Sequence, residues 1–159
     1  MRAVLFSMAL MAALLGTQAR AQNPPAVVTE NPAGYAQGFA DTMTLSGIRS
    51  LRETYVTLYG PFGGTLPANI ESTLLVYERA IGSATAQISR VIEDITLGEA
   101  TRTIYIYHYF GNNLWLFTRL DFYFMGDGRW ALGSLAFADQ WASIVSATTP
   151  SFRATPTRR

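Results

Sequence analysis

TRTIYIYHYFGNNLWLFTRLDFYFMGDGRWALGSLAFADQ, residues Thr101 to Gln140, holds more than half of the chain's aromatic side chains. It reads as three antiparallel strands joined by two tight turns. The first strand runs from Arg102 to Phe110 and is turned by Gly111-Asn112-Asn113. The second runs from Leu114 to Met125 and is ended by Asp127-Gly128, a dipeptide suited to the positive φ angles of a two-residue hairpin turn. The third starts at Arg129 and fades near Phe137.

Period-two alternation places Leu114, Leu116, Thr118, Leu120, Phe122 and Phe124 on one face of the second strand. Trp115, Phe117, Arg119, Asp121, Tyr123 and Met125 fall on the other. Neither face is the polar one of a half-solvated antiparallel strand. If Phe110 pairs with Leu114 across a three-residue turn, Tyr105, Tyr107 and Tyr109 join the Trp115 face. A two-residue turn puts His108 there instead, because a slip of one residue exchanges the faces. Gly133-Ser134 is a candidate bulge that changes parity again.

Upstream, from Thr85, Ile88, Arg90, Ile92 and Asp94 alternate with Ser89, Val91, Glu93 and Ile95, a strand closed by Leu97-Gly98-Glu99-Ala100. Before it the period is helical. Tyr35, Phe39 and Met43 mark a short amphipathic helix punctuated by Ser46-Gly47. A second helix, Ile48 to Tyr59, sets an apolar stripe against Arg49, Arg52 and Glu53. Gly60-Pro61-Phe62-Gly63-Gly64 breaks it. No strand precedes that loop and no Gly-Lys-Ser/Thr follows, so it reads as a connector rather than a phosphate cradle. Pro67 to Ile81 is the third helix, with Pro in the first turn and Gly82 at its end. The expected architecture is α+β, with N-terminal helices packed on a curved, four-stranded antiparallel sheet, an α+β roll of the cystatin type. One domain spans 35–140, after an extended leader over 22–34 and before a disordered tail over 147–159.

Met1 to Ala21 has the parts of a secretory signal peptide: Arg2, an apolar run from Ala3 to Leu15, then Ala19-Arg20-Ala21. The expected location is periplasmic or secreted, with no membrane span after cleavage. Cysteine is absent, which excludes disulfides and thiol chemistry. All 12 basic residues other than His108 are Arg, so no lysine Schiff base or P-loop lysine is available. Removing Arg2 and Arg20 changes the net charge from +1 to −1, and the remaining arginines are scattered. Nucleic acid is not an expected partner.

Phe39 and Ser46-Gly47 leading into the helix of Tyr55, with the closing hairpin Asp127-Gly128-Arg129-Trp130-Ala131-Leu132, resemble the nuclear transport factor two-like superfamily. That superfamily includes ketosteroid isomerases and SnoaL-like cyclases. The resemblance covers Tyr35 to Ala138 and implies a cone-shaped fold. It selects no activity, because the fold hosts enzymes, binders and dimerisation modules. Its enzymes place an Asp or a His in the mouth of the cone, which makes Asp121 and His108 the catalytic candidates by residue type.

His108 is the single histidine and titrates near neutrality unaided. Set against catalysis, a lone His among Tyr and Phe suits a hydrogen-bonded packing role. Asp121 in an apolar cone suits a base of raised pKa, yet Arg119 two residues away favours an ion pair. Glu93 and Asp94 point to opposite faces, against a paired-carboxylate site. Tyr107, Arg119, Asp121 and Tyr123 are the candidate ligand-binding set. One His, no Cys and no acidic cluster give no metal site, and no cofactor pattern is present. A sheet apolar on both faces needs two coverings. Helices supply one, and a partner subunit, a ligand pocket or the chain's own tail supplies the other. The expectation is a homodimer through the aromatic face, in an exported protein that binds a small hydrophobic ligand or serves assembly. The alternative is a cofactor-independent isomerase, cyclase or dehydratase.

Overall fold

The computed structural model describes residues 27–146, which form one antiparallel sheet with helices on both faces. Strands β1 (Val28–Thr29), β2 (Ile88–Leu97), β3 (Thr101–Gly111), β4 (Leu114–Gly126) and β5 (Arg129–Ala138) lie in the order β1-β5-β4-β3-β2. The sheet therefore has five strands, which corrects the expected four. Val28 and Thr29 fall in the expected leader, but they pair with Ala131 and Trp130. So short a strand carries no periodicity of its own; the otherwise free edge of β5 draws it in. The signal peptide over 1–21, the leader up to residue 26 and the tail over 147–159 lie outside the described residues.

Helices α1 (Pro32–Ser46), α2 (Arg49–Tyr59) and α3 (Ala68–Ile81) cover one face, and α4 (Trp141–Ser146) sits on the other. Helix α1 begins ahead of Tyr35, where the Asn31 side chain accepts from the Gly34 N–H at 3.0 Å and Pro32 fills the first turn. Phe39, Met43, Leu51 and Leu74 from the helices meet Ile104, Ile106, Leu116, Leu120, Phe122 and Leu132 from the sheet. Burying each large side chain contributes about 1.5–3 kcal/mol, so this layer is the main source of stability.

Two polar contacts fix how the helices sit. The Tyr55 hydroxyl donates to the Leu135 carbonyl at 2.6 Å, pinning α2 to β5, and burial raises its pKa. Arg52 donates to both carboxylate oxygens of Glu78 at 2.6 and 2.9 Å and to Glu71 at 2.9 Å. Reading Arg52 as part of the solvent face of α2 gives no hint that it grips α3.

Register comes from the turns. Asn112 and Asn113 have φ of 51° and 59°, and Asp127 and Gly128 have 54° and 73°, the positive pairs of type I′ turns. The β3–β4 turn is thus two residues long, yet a bulge between Tyr109–Trp115 and Gly111–Leu114 cancels the change of parity. The tyrosines stay on the Trp115 face, and His108 pairs with Leu116 on the helix face. A further irregularity separates Asp121–Ser134 from Phe122–Leu132, so Gly133 is the bulge residue.

Gly47 and Gly133, two of the crowded glycines, differ in what surrounds them. Gly47 has φ of 61°, and a Cβ there would strike the Ala84 carbonyl oxygen, part of the backbone. A Cβ on Gly133 would strike the ring of half-exposed Tyr123, which is free to swing outward. Gly47→Ala is expected to lower the unfolding free energy by about 2 kcal/mol or more, and Gly133→Ala by less than about 1 kcal/mol, in urea titrations.

Candidate functional site

The candidate residues separate onto two sides of the sheet. On the helix side, adjacent strands β2, β3 and β4 carry Ser89, His108 and Thr118 in one line. Ser89 Oγ lies 2.7 Å from His108 Nδ1, and Thr118 Oγ1 lies 2.9 Å from His108 Nε2. A neutral imidazole donates from one nitrogen and accepts at the other, and a hydroxyl suits either role. Both nitrogens are therefore satisfied. His108 is 0% exposed, with the edge of Phe39 against it at 6.0 Å between ring centres. Burial alone pushes its pKa down to about 3. Ser89 and His108 have the spacing of a nucleophile and its base, but an imidazole with so low a pKa is a weak base. The line works as a polar strut through the core.

On the other side, Arg119 is 3% exposed. Its Nε and Nη2 donate to Asp121 Oδ2 at 3.0 and 2.7 Å, and its Nη1 donates to the Ile144 carbonyl at 3.2 Å. Asp121 also accepts from Thr103 at 2.9 Å and from Ser134 at 2.7 Å. One ion pair thus ties β3, β4 and β5 to the end of α4. Trp141, at the start of α4, meets Tyr105 and Phe117 at 5.1 and 5.5 Å between ring centres. The chain's own helix therefore covers the middle of the aromatic face.

A cleft of about 640 Å³ opens between α3 and the β3–β4 hairpin. Val76, Tyr77 and Ala80 form its helical wall, and Leu114 with Trp115 forms the opposite one. Trp115 is 44% exposed, but its ring is held because Nε1 donates to the Asp139 carbonyl at 2.7 Å. The Asp139 N–H in turn donates to the Tyr77 hydroxyl at 3.1 Å. Asn113, Asp139 and Gln140 supply a polar rim, and among the described residues no histidine or arginine lines the cleft.

Of the expected ligand set, Arg119 and Asp121 come together beneath α4. Tyr107 packs on Phe117, its partner on β4, and Tyr123 lies over Gly133. None of the four lines this cleft. The residues that do were missed because they come from α3, the hairpin and the segment after β5, three places whose proximity is tertiary. The exposed indole of Trp115 on a strand was the one available signal. Among the described residues, no His, Asp and Glu cluster could hold a metal, and no helix is long and apolar enough to cross a membrane. No family model, no curated protein and no solved structure matches the chain.

The folded His108 titrates below its unfolded value of about 6.5, so the unfolded chain takes up the proton first as pH falls. The stabilisation is complete above that value and is lost as pH falls toward about 3. Chemical denaturation should show about 2–3 kcal/mol lost between pH 6.5 and 4.5 through this group. His108→Gln lacks that component, so the difference between variant and parent should narrow on acidification. Asp121→Ala strands a buried guanidinium and should cost about 3 kcal/mol, with Trp141 emission shifting to the red as α4 loosens.

Proposed function

We propose that the chain is an exported, cone-fold protein that binds a small, largely apolar molecule in the cleft at Trp115. The observation that carries this reading is a half-exposed indole held rigid by Asp139 over an apolar wall. Large rigid aromatic surface beside a few polar groups is what small-molecule sites offer. Among the described residues Asp139 is the one carboxylate on the rim and no cation lines the cleft, which favours a neutral or cationic ligand over an anion. Export rests on the signal pattern over 1–21, and the cone on three helices preceding an antiparallel meander.

The enzymatic alternative requires a base open to a cavity. His108 is sealed in the core, and Asp121 is committed to Arg119, Thr103 and Ser134. Both observations weigh toward binding without catalysis.

The neutral dye Nile red is a suitable probe. It should bind saturably and quench Trp115 emission, as assigned by comparison with Trp115→Phe. Val76 is 62% exposed, so Val76→Asp should leave the fold intact while placing charge on the wall. It is expected to weaken dye binding about tenfold or more. Equal binding by Val76→Asp and the parent would remove the cleft from consideration.

A further inference from the structure

We propose that β2 is a self-pairing edge, along which two copies of the chain join antiparallel with Arg90 of each opposite Glu93 of the other. Among the described residues β2 pairs with β3 alone, so the outward-pointing N–H and C=O groups along its ten residues have no strand partner. Such an edge is a template for another strand. Charged residues and bulges ordinarily blunt it, and β2 has both. Here, however, the bulge arranges the charges so that they complement themselves.

On a regular strand Arg90 and Glu93 would face opposite sides of the sheet. The irregularity between Val91 and Glu93 absorbs one residue, so Arg90 aligns with Tyr107 and Glu93 with Tyr105. Both therefore lie on the aromatic face. Both are exposed, and neither has a hydrogen-bond or ion-pair partner among the described residues.

A two-fold axis between Val91 and Ile92 sets Arg90 opposite Glu93, Ser89 opposite Asp94 and Ile88 opposite Ile95. Every pair matches in face. Ile88 and Ile95 align with Tyr109 and Thr103 on the aromatic side, and Ser89 and Asp94 with His108 and Ile104 on the helix side. At the axis, Ile92, which is 47% exposed, meets Val91 of the second copy. The pairing that sets Ile88 opposite Leu97 also preserves faces, but it leaves Arg90 against Ile95. Charge therefore selects the first register, and an isologous contact obeys i-to-j and j-to-i by construction. A strand from an unrelated protein has no reason to match this order, so a second copy is the fitting partner.

Sedimentation equilibrium of the full chain tests the proposal. The parent should dimerise at tens of micromolar. Arg90→Glu and Glu93→Arg each place like charges opposite one another twice and should weaken the dimer about tenfold or more. Mixing the two single variants should give a mixed dimer, because each supplies the sign the other lacks. The double variant Arg90→Glu/Glu93→Arg should return to within about threefold of the parent. A monomeric parent would overturn the proposal. So would single reversals that dimerise as well as the parent, which would place the contact elsewhere, or single variants that fail to pair when mixed.

Discussion

The extra residue in β3 between the pairs Tyr109–Trp115 and Gly111–Leu114 governs what each face of the sheet offers. It sends His108 inward to Ser89 and Thr118 and keeps Tyr105 beside Phe117 on the outside, where Trp141 docks. Without it, an imidazole would stand under α4 and a row of tyrosines would press against α1. Both arrangements would leave buried polar groups without partners, which costs about 1–3 kcal/mol for each. The parity of one hairpin thus sets the chemistry of the core and of the outer face together.

The two faces are closed in different ways. On the helix side apolar volume does most of the work, with Tyr55 and Arg52 as anchors that position α2. On the outer side the described covering is the six residues of α4, too few to hold themselves as an isolated helix. It depends on Trp141 at one end and the Arg119 contact to the Ile144 carbonyl at the other. The Arg119–Asp121 pair is costly to desolvate and is repaid by the hydroxyls of Thr103 and Ser134. Its position under a helix makes it a fastening between strands and helix, and neither of its residues lines the cleft beside Trp115.

Alternation of side chains made the meander legible, and Gly, Pro and Asp-Gly punctuation placed the helices and turns within a few residues. The fifth strand was hidden because Val28 and Thr29 pair by backbone contact and show no pattern. Helix α4 was hidden because six residues hold too few turns for periodicity. The cleft was hidden for a different reason: Val76, Trp115 and Asp139 meet only after α3 folds back across the hairpin.

Sequence by itself determined the α+β class, the order of the three long helices and the four long strands, the absence of thiol and lysine chemistry, and the rivalry between Arg119 and catalysis at Asp121. Local propensity and short-range pairing suffice for these, since each is written within one element or across one turn. Tertiary structure alone decided which face His108 takes, what covers the aromatic side, and that Arg90 and Glu93 share a face. Those outcomes turn on single-residue bulges, and a bulge shifts every side chain after it while leaving almost no trace in composition.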